Sequence, residues 1–549
     1  MSIMVEPLAR GYMVARLVGE AKVLSRMGTI PTARFVRAID GWKIRATPAC
    51  AERLFELADG SMGNRIDEAG LGHLSSVMHP LKARRIIEYV NSPTTAWDHQ
   101  RDAFRFAYGR QACLLDMGMG TGKTKVAFDL MNAYQAHRVL VVCPLSVVDV
   151  WERQYLLHRP HGWSMQGGIY PLRGGSVKSR ALRLGRTFQE DISTPLIFGM
   201  NYEASYLDPM AETLLAQDWD MIVLDEIHRI KAAGGKQSRF MGKLSERAEY
   251  RLGLTGTPLP HDILDAYAQF RFLDPGIFGT SHAAFKSRYA IYVQKTTRAG
   301  KSYPELIGFQ NEEEFRRKYY SITFKVDSSI LNLPEPIIST RTCTLHAVTR
   351  KAYETLKDEY IVELEEGVVT ASNAMVKSLR LRQMAGGFAK PEELDDSVLI
   401  DASKLDLLDD ITFDIGEPFA VFAEYRAEAD AIIARLSQSG LRVAQQRGGI
   451  NQWQEFQAGD YDVIVCQYQA GGLGIDLTRA DICIMYSPTY RLVDYDQSVK
   501  RIDRPTYDGR TRAPRLIHLV TEGTMDAKVY RAINERRSII EALLEVDGE

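Results

Sequence analysis

Residues Asp116-Met-Gly-Met-Gly-Thr-Gly-Lys-Thr124 place three glycines, a lysine and a terminal hydroxyl within nine positions. The apolar run Ala112-Cys-Leu-Leu115 before them reads as a buried strand. After them Val126, Ala127, Leu130 and Met131 recur at helical spacing. A glycine-rich turn between strand and helix gathers backbone N–H groups and the positive end of the helix dipole, which suits anionic phosphate. In such a turn Gly118, Gly120, Thr121 and Gly122 form the cradle of a nucleoside triphosphate. Lys123 reaches the terminal phosphates and Thr124 ligates magnesium. One departure stands out: Met117 occupies the position six before the lysine, where the general pattern has glycine.

A second group follows another apolar strand, Met221-Ile-Val-Leu224, as Asp225-Glu-Ile-His228. Ligands of open α/β sheets bind beyond the carboxyl ends of strands, so these side chains should face the phosphate turn. Asp225 then suits the magnesium, and Glu226 suits the task of orienting and deprotonating an attacking water. A solvated acidic loop is the plain alternative, and the phosphate turn earlier in the chain argues against it. Leu254-Thr-Gly-Thr-Pro258 closes a further strand with two hydroxyls; alone it reads as a capping turn. In the second half, Gln497-Ser-Val-Lys-Arg501-Ile-Asp-Arg504 puts Arg501 and Arg504 on one helix face, as forks for a phosphoryl-transfer transition state or as ordinary surface charge. Gly471-Gly-Leu-Gly474-Ile-Asp476 follows the strand Val463-Ile-Val465. Its exposed N–H groups can meet nucleic-acid phosphate, or it is a simple turn.

These groups need a scaffold, and the hydrophobic pattern describes one. From about residue 97 short apolar strands alternate with helices, which implies a parallel sheet covered on both faces. A second alternating block begins near Ala420. The expected organisation is an N-terminal module over 1–90, a first α/β lobe over 91–275, helical insertions over 276–400 and a second α/β lobe over 401–549. In the first module Trp42, Ile44 and Ala46 alternate with Lys43 and Arg45, the period of a strand. The 549 residues are 45% hydrophobic and 25% charged, ordinary for a globular chain with ample core. No apolar run is long enough to span a bilayer, and no secretory signal is legible, so a cytoplasmic place is expected. The six cysteines are scattered without a C-x-x-C pair and read as buried thiols, which excludes a zinc site. Net charge is −2, yet residues 1–53 carry nine basic side chains against four acidic ones. Local basic surface binds phosphate backbone whatever the total charge.

Taken in order, the motifs resemble those of the Swi/Snf-type ATPases of helicase superfamily two, from about Trp97 to Tyr530. The most specific stretch is Leu254-Thr-Gly-Thr-Pro-Leu259 continuing to Phe272-Leu-Asp-Pro275, Phe278-Gly279, Phe285 and Tyr289. Leu333-Pro334, Tyr353, Leu381-Arg-Gln383, Ser403-Lys-Leu405 and Thr521-Glu-Gly-Thr524 extend it. The resemblance implies two RecA-like parallel-sheet lobes with helical insertions, and a DNA-dependent ATPase that uses ATP and magnesium and translocates on duplex DNA. Gln100 would read the adenine edge, Lys123, Glu226, Arg501 and Arg504 would serve the reaction, and Gly474 and Asp476 would belong to the nucleotide site. Pro144, Leu145, Ser146, Asn201, Tyr202, Gln467, Gln469, Gly471 and Gly472 match stretches that track a DNA strand. The implied partner is double-stranded DNA, branched forms included, bound by a monomer, with no membrane and an unidentified partner protein left open. Departures are Ile227 for the usual alanine, Pro260-His261 for a polar pair, and Asp503 and Pro505 in the arginine motif. A strand-separating helicase, and a nucleotide-gated DNA-binding scaffold, are the competing readings.

Overall fold

The computed structural model describes residues 2–8, 12–18, 30, 33–36, 41–45, 50–54, 65–66, 93–159, 168–189, 195–296, 302–366, 371–390, 397–413, 415–471, 475–502 and 513–544. They form two compact units, Met1–Ala290 with Phe309–Asp327, and Ile291–Gly308 with Ser328–Glu549.

The first unit opens with a small sheet of β1 (Ser2–Leu8), β2 (Tyr12–Val18), β3 (Arg34–Val36), β4 (Gly41–Arg45) and β5 (Arg65–Ile66), ordered β3-β4-β2-β1-β5. The alternation around Trp42 is thus a strand, and Ile44 is fully buried with Met13, Ala15, Ala51 and Leu54. The large sheet follows: β6 (Ala112–Met117), β7 (Arg138–Cys143), β8 (Ile169–Pro171), β9 (Leu196–Asn201), β10 (Trp219–Asp225) and β11 (Ala248–Thr255). After the hairpin β12 (Ala290–Thr296) and β13 (Ser302–Phe309), β14 (Thr323–Val326) returns to complete it. The order is β14-β6-β11-β10-β7-β9-β8, with every pairing parallel. Strands buried on both faces explain the unbroken apolar runs: β6 and β9 have no exposed residue. Helices α1 (Asp98–Ala107), α2 (Lys123–Ala133), α3 (Val148–His158), α4 (Lys236–Leu244) and α5 (Ala266–Leu273) accompany this sheet.

In the second unit, strands β15 (Ile337–Cys343), β18 (Phe419–Ala423), β19 (Val443–Arg447), β20 (Ile450–Asn451), β21 (Val463–Gln467), β22 (Ile482–Met485) and β23 (Arg515–Thr521) make another seven-stranded sheet. Its order is β15-β23-β22-β18-β21-β19-β20, and a separate small pair joins β16 (Phe388–Ala389) to β17 (Val398–Leu399). Helix α6 (Leu492–Ile502) follows β22. Residues 276–400, expected to be mostly helical insertions, also hold, among the described residues, six strands, of which β14 enters the first sheet and β15 the second. Their pattern misled because edge strands such as β15 are mostly exposed and lack a continuous apolar run. No helix among the described residues is long and apolar enough to cross a membrane.

Candidate active site

Strands β6, β11 and β10 are neighbours whose ends fall in register: Thr255 lies opposite Asp116, and Asp225 opposite Leu254. Their carboxyl ends therefore release three loops along one edge, which begin at Gly118, Glu226 and Gly256. All three lie within the first unit.

The phosphate turn is tight because Gly120 and Gly122 take φ of +81° and +83°, a region that favours glycine. A Cβ at Gly122 would collide with the Gln100 side-chain amide. Buried Gln100 accepts from the Trp97 N–H at 3.0 Å and donates to the Thr121 carbonyl at 3.0 Å. His99 Nε2 meets the same carbonyl at 2.9 Å. Helix α1 thus splints the turn, and Gln100 acts on its backbone. Lys123 Nζ donates to the carbonyls of Met117 at 2.7 Å and Gly118 at 3.2 Å. Met117 is used here through its backbone, a part any residue can play, which accounts for the missing glycine. Burial pushes the Asp116 carboxyl up to about 7, against the opposing pull of Lys325 and Lys123.

In the acidic loop, burial and then the neighbouring Glu226 charge raise Asp225 to about 6, while the Trp151 N–H and Lys123 draw it down. That indole, on α3, donates to Asp225 Oδ2 at 2.8 Å. Glu226 has φ +55°, rare for a residue with a Cβ. Burial raises its pKa too, opposed by Lys123, Arg229 and a hydrogen bond with Thr255. Thr255 Oγ1 also meets His228 Nδ1 at 3.0 Å and accepts from the Thr257 N–H at 3.1 Å. His228 Nδ1 lies 3.4 Å from Glu226 Oε2. Burial, aided by Lys231 and Arg229, holds His228 down to about 3, so the imidazole is neutral at ordinary pH. The third loop touches the first as well: a Cβ at Gly256 would stand 3.2 Å from the Met117 carbonyl and 3.4 Å from the Met119 nitrogen. The Thr-Gly-Thr loop therefore joins the phosphate turn to the acidic loop. Ile227 is accommodated because Gly253 leaves the room; a Cβ there would press on Ile227 Cδ1 at 2.7 Å.

Other expected site residues are placed differently. Pro144 is buried, whereas Leu145 and Ser146 are exposed on the turn after β7. Asn201 donates to Glu203 at 2.9 Å and accepts from Arg180 at 3.3 Å. Tyr202, expected to track DNA, is corrected: its side chain is fully buried and its hydroxyl donates to the Asp225 carbonyl at 2.8 Å, so it braces the acidic loop. In the second unit Gln467 ends β21, Gln469 is exposed, and Gly471 ends the short helix Tyr468–Gly471. Asp476 accepts from the Thr478 N–H at 3.0 Å. Arg501, on α6, is 5% exposed and turned toward the Ile475 carbonyl at 3.4 Å. Gly472, Gly474 and Arg504 lie outside the described residues. Trp151 and His99 touch this edge and were missed, because nothing local in the sequence marks them; His228 was in the quoted acidic group but without a role.

A glycine cradle, a lysine, a paired acidic loop and a hydroxyl loop on adjacent parallel strands define a P-loop-type nucleoside triphosphatase edge. Comparison with known proteins then identifies the family. The model of the SNF2-related domain matches residues 67–386, and that of the helicase conserved C-terminal domain matches residues 403–506. Protein p41 of Acyrthosiphon pisum secondary endosymbiont phage 1 is 26% identical, with 78% of this chain and 93% of that protein covered. The DNA repair and recombination protein RAD54-like of Drosophila yakuba is 22% identical over 96% of this chain and 73% of its own. Of the Bacillus subtilis protein YwqA, 25% identical over 80% of this chain, the match spans 47%. A solved Sulfolobus solfataricus SWI2/SNF2 ATPase core in complex with dsDNA aligns at 21% identity and a TM-score of 0.38, covering 84% of this chain and 95% of that one. The chain belongs to the SNF2-related family of helicase superfamily two, a family of ATP-dependent helicases and translocases.

Proposed function

We propose that this protein is an ATP-driven motor that moves along duplex DNA and remodels DNA structures or protein–DNA complexes. The observation that carries it is the contact of the Thr255–Thr257 loop with both the phosphate turn and the acidic pair: the chemistry is wired to a loop that can report it. ATP fits this edge because the glycine cradle admits backbone only and Lys123 faces the turn. Magnesium binds through one or two protein oxygens plus phosphate rather than a full protein cage. Thr124 and Asp225 supply such oxygens, and the ion would neutralise charge on the phosphates. Glu226 takes the proton of the attacking water, with the neutral His228 and Thr255 holding its carboxylate. Arg501 and Arg504 would add positive charge as phosphoryl transfer proceeds, a contribution on the order of 10³–10⁵ where measured in other NTPases. Leu145, Ser146, Gln467, Gln469, Gly471 and Gly472 contact the backbone of one strand, which makes binding sequence-tolerant and salt-sensitive. The phage and Bacillus subtilis relatives support placing the work in the cytoplasm of a bacterial or phage-infected cell.

Steady-state ATPase rates with no nucleic acid, single-stranded DNA, duplex DNA and RNA test the proposal. Strong stimulation by duplex supports it; stimulation by single strands or RNA alone replaces it with a strand-separating helicase. Arg504→Ala should lose turnover with little change in nucleotide affinity, and normal turnover would remove Arg504 from the mechanism.

A further inference from the structure

Away from the ATP edge, the small N-terminal sheet and helices α4 and α5 of the same unit enclose a cleft of about 520 Å³. Among the described residues five cationic side chains line it, Arg34, Lys43, Arg239, Lys243 and Arg271, against one carboxylate, Glu246. The whole chain has a net charge of −2, so this concentration is not a reflection of composition.

The cations are arranged at a cost to the fold. Arg34 on β3 stands directly opposite Lys43 on β4, and like charges in that position weaken a strand pair. Arg239 and Lys243 are four apart on α4, an unfavourable like-charge spacing, and among the described residues neither forms an ion pair. Arg271 is half-buried; its guanidinium donates to the Ala233 carbonyl at 3.0 Å and Ser238 Oγ at 2.6 Å, while its Nε is buried with no hydrogen-bond partner. Burial first, and then the Arg239 charge, lower the Arg271 pKa, while Tyr267 favours the charged form. Glu246 forms an exposed pair with Arg34 at 3.0 Å, the kind of contact worth little in water. An anion in the cleft relieves several of these repulsions at once.

The form of the cleft says which anion. The cations come from separate elements, Arg34 and Lys43 from the β3–β4 ribbon, Arg239 and Lys243 from α4 and Arg271 from α5, and line one cleft. No glycine of positive φ lines it, so it lacks the backbone nest that closes around a single terminal phosphate. Long flexible cations from separate elements suit a run of phosphodiesters. We infer that this cleft is a second DNA-backbone site, in which Arg34, Lys43, Arg239, Lys243 and Arg271 grip one strand independently of base sequence and of bound nucleotide. The inference rests on the reading of the protein as a DNA motor. It adds a fixed anchor on the first unit, away from the loops that respond to ATP.

The test is duplex-DNA binding by fluorescence anisotropy, without nucleotide, across a salt series, with thermal unfolding as a check on folding. The double variant Arg239→Gln/Lys243→Gln should make the slope of log affinity against log salt shallower by about 2. Between about 50 and 200 mM salt the wild type should then lose roughly tenfold more affinity than the variant. ATPase rate at saturating duplex should not change, because neither residue belongs to the ATP edge. Gly242→Leu plugs the cleft with every cation kept, since a Cβ there points at Arg271 at 3.4 Å. It should weaken duplex binding severalfold; if the double variant misfolds, this variant and Lys243→Gln decide. Wild-type affinity and slope in the variants would overturn the inference, as would an effect on binding of inorganic phosphate or an acidic protein with none on DNA. Binding is read without turnover, so a wild type that binds through the cleft but is not stimulated by DNA would sink the motor reading alone.

Discussion

Both large sheets have seven strands, central strands buried on two faces, and helices between them, yet their carboxyl edges are loaded differently. In the first unit the strand ends carry Lys123, Asp225 and Glu226, ionisable groups held beside a backbone cradle. In the second, Arg501 and Arg504 apart, charged groups among the described residues are paired inside the fold. Lys404 pairs with Asp526 at 2.5 Å with both side chains 2% exposed, and Asp526 also accepts from the Thr521 N–H at 3.1 Å. Buried Tyr468 donates to the Ser487 carbonyl at 2.9 Å, and Arg382 lies over the Tyr490 ring at 4.6 Å. The Ser403-Lys-Leu405, Thr521–Thr524 and Leu381-Arg-Gln383 stretches are thus internal fastenings of the second sheet. One architecture is used in two ways: the first sheet gathers ionisable groups at its strand ends, and the second uses buried pairs such as Lys404–Asp526 to hold its own layers together.

That contrast can be broken by substitution. The largest effect is expected for Glu226→Gln, which should bind ATP normally and lose turnover by roughly 10²–10⁴, the usual contribution of a positioned base; a single-turnover assay beside a nucleotide-binding titration checks it. Next is Lys404→Met, which strands a buried carboxylate and should cost about 3–5 kcal/mol of stability in the second unit, read by urea unfolding. If this variant instead folds normally and loses only turnover, the inward-facing pair is part of the chemistry and the contrast fails. Thr255→Val keeps shape but removes the hydroxyl between Glu226 and His228. With a charged hydrogen bond worth about 1.5–3 kcal/mol, turnover should fall about tenfold or more, with ATP affinity unchanged in equilibrium binding.

The smallest effect concerns pH. Burial raises Glu428 from 4.5 to about 7, although the Ser487 hydroxyl donates to it at 2.7 Å and Lys404 favours its ionised form. The folded state holds the proton more tightly than the unfolded chain, so this residue's contribution to stability declines as pH rises from about 4.5 to about 7. Glu428→Gln cannot ionise; in chemical unfolding its stability relative to wild type should rise between pH 5 and pH 8. A constant difference across that range would mean that Glu428 is ionised throughout.

Much of this was legible in the chain. The apolar runs at Ala112–Leu115, Met221–Leu224 and Val463–Val465 mark strands buried on both faces, and such runs need no tertiary context to be seen. Glycines followed by lysine and threonine mark a phosphate turn because glycine lets the backbone close around an anion, while the lysine adds charge and the threonine a hydroxyl. Edge strands β14 and β15 were hidden, since half-exposed strands lose the apolar signal.

The sequence by itself determined the two α/β blocks, the phosphate turn, the acidic pair and the family they resemble, since each is a local pattern of residue types at short spacing. Tertiary structure alone decided that Trp151 supports Asp225 across 74 residues, that Tyr202 braces a carbonyl instead of meeting DNA, and that Thr255 joins Glu226 to His228. It also brought Arg34 and Lys43 to the helix that carries Arg239 and Lys243. The physical reason is the same in each case. A hydrogen bond or a field of charge depends on distance in space, and strand order, not chain order, sets that distance.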